Sequence, residues 1–214
     1  MKAWQRYAVY LLTGEWHIHT NYTDGENSVE EYCQKAVEMG VPLLVFSEHV
    51  RRSLDYDFHA FLGEVEAAKK KYPKLIILTG CEAKVLESGE LDAAHETLSQ
   101  CEIVLMAFHS FPRDTNKYLA ALKVALANPL VSMWAHPGLF LARNNMVLGK
   151  AEIEEITDIA CRNDVLIETN AKHEMPPHEW VQLMAGRCTF VRGSDVHSLN
   201  DLQLRNDGRA LGSR

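Results

Sequence analysis

Seven short apolar runs alternate with amphipathic segments along the chain, and this rhythm limits the possible folds more than any other feature of the sequence. The runs are Trp16–His19, Leu43–Phe46, Leu75–Leu78, Ile103–Ala107, Val131–Ala135, Val165–Glu168 and Thr189–Arg192. Several are continuous in Val, Ile and Leu, the pattern of parallel strands covered on both faces. Helical patterns lie between them. Ser28 and Glu31 form a capping box, Val29, Tyr32, Cys33 and Ala36 make one apolar face, and Gly40 supplies the stop. Asp57–Tyr72 ends at Pro73 and Thr115–Ala127 ends before Pro129, while Ala151–Cys161 and Pro177–Ala185 continue the pattern. Parallel strands need crossovers of this kind, so strand–helix units of roughly 25–30 residues predict a closed or nearly closed β/α barrel. A doubly wound open sheet is the competing architecture.

With 47% hydrophobic and 24% charged residues, the chain has the composition of a globular domain able to bury a core without staples. The expectation is one domain over residues 1–214. A formal charge of −7 argues against a nucleic-acid-binding surface, which is built mainly from clustered Lys and Arg. The one basic run, Lys69-Lys70-Lys71, falls at a helix end, where it complements the helix dipole. Five cysteines (Cys33, Cys81, Cys101, Cys161 and Cys188) lack C-x-x-C spacing and are expected as buried, reduced thiols. No signal peptide is evident, and no stretch nears the ~20 apolar residues of a membrane span. The expected compartment is the cytoplasm, with no membrane partner.

The functional face of a β/α barrel is the carboxyl end of its strands. Just past the apolar runs lie His17 and His19 with Asp24 in the following loop, then Ser47-Glu48-His49, Gly80-Cys81-Glu82, His109, His136, Glu168-Thr169-Asn170 and Gly193-Ser194-Asp195-Val196-His197. A single histidine at a strand end is more often a hydrogen-bonded or surface residue than a ligand. The His17-x-His19 and Asp195-x-His197 pairs carry more, because the strand's period of two puts each pair on one face. The two pairs meet only if the barrel closes. Of ten histidines, 17, 19, 49, 109, 136 and 197 sit at strand ends and 59, 95, 173 and 178 do not. Acids and imidazoles crowded at one edge are costly unless metal or hydrogen bonding compensates, so the pattern predicts a metal site.

These motifs resemble those of the PHP (polymerase and histidinol phosphatase) family of phosphoesterases. The resemblance runs from about residue 14 to residue 200 through His17-Ile18-His19-Thr20 with Thr23-Asp24-Gly25, Ser47-Glu48-His49, Gly80-Cys81-Glu82-Ala83, Phe108-His109-Ser110, Ala135-His136-Pro137-Gly138 and Gly193-Ser194-Asp195-Val196-His197-Ser198. It implies a distorted (β/α)7 barrel with up to three divalent ions. His17, His19, Glu82 and Asp195 would hold one ion, Asp24, His49 and His197 a second, and Glu82, His109 and His136 a third, Glu82 bridging. The chain departs from the family pattern at Glu15 and Glu48, where Asp is usual or common. Neither is a direct ligand; Glu15, two residues before His17, is placed to orient that imidazole or to sit solvated at the rim.

Imidazole and carboxylate without thiolate favour Zn, Mn or Fe(II) over Mg or Ca. Such ions lower the pKa of a bound water, so a metal-activated hydroxide serves as nucleophile and no Ser or Cys is required. Ser47, Ser110 and Ser194 are read as hydrogen-bonding supports and Cys81 as core. Arg51, Arg52, Lys84, Arg143, Lys172 and His173 are placed to reach a substrate phosphate, Arg143 being preferred because related phosphatases place an arginine in that loop. His173 and His178 are the candidates for protonating a leaving group. The expected substrate is a small phosphorylated metabolite, of histidinol-phosphate or nucleotide-phosphate kind. A nuclease or proofreading activity, a non-catalytic metal-binding domain and an amidohydrolase reaction remain open. Beyond His197 the chain leaves room for only a partial last helix.

Overall fold

The computed structural model describes residues 1–203; the final stretch on which the partial-helix expectation falls lies outside them. One seven-stranded parallel sheet runs in sequence order: β1 (Glu15–Ile18), β2 (Leu43–Val50), β3 (Ile76–Lys84), β4 (Ile103–Ala107), β5 (Met133–Trp134), β6 (Leu166–Asn170) and β7 (Phe190–Gly193). Helices α1 (Val29–Met39), α2 (Phe58–Lys71), α3 (His95–Ser99), α4 (Thr115–Leu126), α5 (Leu139–Arg143), α6 (Lys150–Arg162) and α7 (His178–Met184) connect and cover the strands. Just past β7 the sheet curls back on itself. Val196 bridges Ile18 in parallel, with His19 N donating to Val196 O at 2.8 Å and Val196 N to His17 O at 2.9 Å. The open doubly wound sheet is thereby excluded; the fold is α/β, a distorted (β/α)7 barrel.

Strand alternation divides the core in two. Leu44, Phe46, Ile77, Cys81, Val104, Trp134 and Ile167 pack outward against the helices. Leu43, Val45, Leu78, Ile103, Leu105, Met133, Leu166 and Val191 fill the barrel interior, and a 3-10 helix at Ala3–Tyr10 sets Trp4 against that inner layer. Continuing each inward parity toward the carboxyl end leads from Val45 to Ser47 and His49, from Leu78 to Gly80 and Glu82, and from Leu166 to Glu168. Polar residues thus stand as the next layer above an apolar plug.

Two strands break the rule. In β1 the register with β2 slips between Glu15 and Ile18, a bulge-type irregularity. It lets Trp16 join the interior layer while neighbouring His17 also faces the site. At β5, Ala135 lies in the interior layer and His136 turns into the site as well. The change of parity is made at His136 itself, whose φ of 32° is unusual for a residue with a Cβ.

The strands β2 and β3 are longer than the apolar runs suggest: Ser47-Glu48-His49 and Gly80-Cys81-Glu82 pair with one another inside the sheet rather than beyond it. The cysteine expectation also needs correcting. Cys161 of α6 and Cys188, before β7, form a disulfide with Cα atoms 5.1 Å apart, a proximity created by packing across 27 residues of sequence. Cys33 and Cys81 are buried thiols and Cys101 is half-buried. Among the described residues no helix is long and apolar enough to cross a membrane.

Candidate metal centre

At the carboxyl ends of the strands eight side chains gather around a ninth, Glu82, which is almost fully buried. Its Oε1 lies 2.9 Å from His136 Nε2 and 3.6 Å from His17 Nε2. Its Oε2 lies 2.9 Å from His49 Nδ1, 3.3 Å from His109 Nε2 and 3.8 Å from His19 Nε2. On one side Asp195 Oδ1 sits 3.4 Å from His19 Nε2 and 3.6 Å from His17 Nε2. On the other, Asp24 reaches His49 Nε2 at 3.2 Å and His197 Nε2 at 3.4 Å. Barrel closure has brought the two sequence pairs, His17-x-His19 and Asp195-x-His197, into contact.

Among the described residues, three groups have donor atoms within 4.8 Å of one another: His17, His19 and Asp195; His19, Asp24, His49 and His197; and His49, Glu82 and His109. These approximate the three sets that the family resemblance implies. His49 differs from that partition, because it faces Asp24 through Nε2 and Glu82 through Nδ1 and so stands between two groups. His136 meets Glu82 Oε1 and lies outside the third group.

The donors fit cations better than they fit one another. His17 Nε2 and His19 Nε2 face each other at 3.0 Å. His49 Nδ1 and Glu82 Oε2 are only 2.9 Å apart, yet neither has a hydrogen-bond partner, and buried His19 Nδ1 is also unpartnered. Divalent ions held between these groups would satisfy such lone pairs. The acids are ionised as ligands must be, while, against burial, acidic neighbours push His17 and His49 up to about 10, so an ion binding there would displace protons. Burial opposes charge on Glu82, but His109, His136 and His17 outweigh it and hold the carboxyl well below its usual range. His197 and His49 lower Asp24 likewise, and for Asp195 His173, His19 and His17 overcome burial. All three are therefore carboxylates, the state a ligand requires. Burial pushes His19 down to about 4, which keeps its imidazole neutral and able to donate lone pairs.

The neighbouring residues support the ligands in specific ways. Glu48 is buried; it accepts from Thr20 N at 2.8 Å and Thr23 Oγ1 at 2.5 Å, holding the loop that delivers Asp24. Gly25 closes that loop against the backbone: a Cβ there would lie 2.2 Å from His19 O. Ser47 Oγ ties β2 to β1 through Ile18 N. Glu15 does not orient the His17 ring. It accepts from Ser194 N at 2.8 Å and His17 N at 3.3 Å, and pairs with Arg192 at 3.4 Å. The slip in β1 directs it to the backbone of the closing seam. The residue at the His17 ring is Glu168, with Oε1 2.7 Å from Nδ1. The sequence signal for it was an acid at an inward position directly after the apolar run of β6.

A cavity of about 260 Å³ opens over the cluster, its lining including polar Arg51, Arg143, Asn144 and His173 and apolar Phe108, Leu139 and Phe140. Arg143 occupies the last turn of α5. Arg51 also lies 4.0 Å from Asp92 and bonds Val50 O. Arg52 pairs with Glu90 at the surface. Lys84 stands at the end of β3 outside the cavity lining. Lys172 bonds Asp195 O at 2.9 Å from an exposed position. His173 Nε2 contacts Asp195 Oδ2 at 2.8 Å, whereas His178 is exposed on α7 and bonded to Gln182.

A parallel barrel with a buried, ionised His/Asp/Glu cluster at its carboxyl face defines a metal-binding barrel of hydrolase type. The profile of the PHP domain family matches residues 15–172, and the chain belongs to that family. It is similar to the DNA polymerase/3'-5' exonuclease PolX of Bacillus subtilis, 24% identical over 202 residues covering 89% of this chain and 35% of that protein. It also resembles a Clostridium acetobutylicum protein named as a probable phosphatase, 25% identical over 75% of this chain and 64% of the relative. The chain thus spans from about a third to under two thirds of these relatives. Its fold matches the crystal structure of Lactococcus lactis histidinol phosphate phosphatase complexed with zinc, L-histidinol and phosphate, with a TM-score of 0.65, 15% identity and 87% of each chain covered.

Proposed function

We propose that the chain is a metal-dependent phosphoesterase acting on a small phosphorylated metabolite at a centre of up to three divalent ions. The observation that carries this reading is the convergence of His17, His19, Asp24, His49, Glu82, His109, Asp195 and His197 in overlapping donor groups, with His136 2.9 Å from Glu82 Oε1 and the carboxylates held ionised. Zinc, manganese or iron(II) suits these donors, and bound there would activate water and offset charge on phosphoryl oxygens.

The protein's own groups prepare the remainder. Arg143 and Arg51 bring guanidinium charge to the cavity, suited to phosphate oxygens that the centre does not take. Phe108, Leu139 and Phe140 add apolar surface to the cavity lining, suited to the organic part of a substrate. A space of about 260 Å³ fits a monoester with a small leaving group, of the histidinol-phosphate or nucleotide-phosphate kind. His173 is near enough to Asp195 to steady it. Resemblance to the PolX protein favours a second reading, hydrolysis at nucleic-acid ends, but the net charge of −7 weighs against a polymer-binding face.

The test is to count bound metals and to screen phosphomonoesters and phosphodiesters with Mn, Zn or Fe(II), using His109→Ala as control. At least two metals per chain and hydrolysis lost in the variant are expected. Fewer than two metals, or equal activity in the variant, would reject the reading, and preference for oligonucleotide ends would select the second one.

A further inference from the structure

Glu168 is fully buried in β6 and belongs to none of the donor groups described above. Its two oxygens go to two different ligands: Oε1 lies 2.7 Å from His17 Nδ1, and Oε2 accepts the backbone N–H of His136. We infer that Glu168 is a positioning residue for the metal centre, fixing the tautomer of His17 and the backbone of His136 through a single carboxylate. The inference rests on the metal-binding part of the proposed function and not on the choice of phosphate ester.

A carboxylate only accepts, so the His17 nitrogen facing it carries the proton. The lone pair of a neutral His17 then lies on Nε2, the atom 3.6 Å from both Glu82 Oε1 and Asp195 Oδ1. An imidazole oriented in this way by a buried acid is pre-set to ligate through one nitrogen. His136 is held at a φ of 32°, a conformation that persists only where surrounding bonds enforce it, and Oε2 supplies such a bond. A third strand is fitted to the same carboxylate. A Cβ on Gly193 would come within 1.9 Å of Glu168 Oε1, so glycine stands two residues before Asp195 because Glu168 occupies that space. The carboxylate therefore links ligands at β1 and β5 to the strand that delivers Asp195.

Glu168→Gln keeps the size and removes the symmetry, because an amide offers one acceptor and one donor group. If the amide nitrogen faces His17, Nδ1 must accept, and the ring proton moves to Nε2, where the lone pair was needed. If it faces His136, two donors confront each other. Gly193→Ala displaces the carboxylate without altering it.

The experiment is calorimetric titration of Mn²⁺ into metal-stripped parent, Glu168→Gln and Gly193→Ala proteins, with bound metal counted by elemental analysis. Metal affinity is expected to fall about 10–100-fold in Glu168→Gln and also to fall in Gly193→Ala, with lost hydrolysis recovered by excess Mn²⁺. A purely structural role would lower the melting temperature of the metal-free protein while leaving affinity and stoichiometry of the folded fraction unchanged, and that result overturns the inference. If neither variant folds, the zinc-loaded parent with 15N-labelled histidine decides the matter. Ligation of His17 through Nε2 with a slowly exchanging Nδ1–H supports the role, and ligation through Nδ1 overturns it. Because the readout is metal binding, its failure is distinguishable from a failure to hydrolyse phosphate esters.

Discussion

Glu48 is buried in β2 with two donors on its oxygens, and burial still pushes its carboxyl up to about 7 against an ordinary 4.5. A raised carboxyl pKa contributes stability that is full below the unfolded value and is lost as pH rises through the folded one. Between about pH 4.5 and 7 this acid therefore costs the fold up to about 3 kcal/mol, at 1.36 kcal/mol per pH unit. In denaturant unfolding, Glu48→Gln should gain stability relative to the parent as pH rises across that window; a difference constant with pH would refute the assignment. Arg143 supplies a second prediction at this scale. Losing a charge-assisted bond to phosphate costs roughly 1.5–3 kcal/mol, so Arg143→Ala should lose about ten- to a hundred-fold in kcat/KM with metal content unchanged. Normal kinetics would remove Arg143 from the substrate site. His49, Glu82 and His109 were legible because they continue the inward period of two of their strands, whereas His136 follows a change of parity and Asp195, at a φ of 51°, and His197 lie beyond β7. Glu168 was visible as an acid in that row, but its partners were not, since nothing in the sequence tells which residues of β1 and β5 face β6.

At the scale of elements, local chemistry set what could be read. Helices whose ends carry Ser28, Pro73 or Pro129 appear where the pattern places them. Ser28 Oγ accepts from Glu31 N while Glu31 Oε2 accepts from Ser28 N at 2.9 Å, opening α1. Ser28→Ala is expected to destabilise the protein by about 1 kcal/mol without weakening Mn²⁺ binding; a loss of metal affinity would show that α1 tunes the Asp24 loop. Strands were legible only while apolar. β2 and β3 run on through Ser47-Glu48-His49 and Gly80-Cys81-Glu82 because cross-strand bonds do not depend on side-chain polarity. The register slip in β1 and the parity change at His136 left no compositional trace, since both are backbone events. The Cys161–Cys188 pairing depends on how α6 packs beside the approach to β7, a tertiary fact that spacing does not carry.

For the whole molecule, the centre joins the first strand to the segment after the last, so metal binding and global stability are linked. At a metal concentration 100 times the dissociation constant, linkage contributes about 2.7 kcal/mol. That corresponds to a melting temperature roughly 5–10 °C higher than after chelation for a chain of this size. Equal melting curves with and without metal would show that the site is not coupled to the fold. The seam between β1 and Val196 has a further meaning for a chain made from one end to the other. His17 and His19 leave the ribosome well before Ser194, which bonds Glu15 from 179 residues away, and Asp195 beside it. Until then the emerging polypeptide can neither complete its ring of strands nor assemble the full set of metal donors. The order of translation thus places completion of the barrel and of the metal centre after all seven strands have been made.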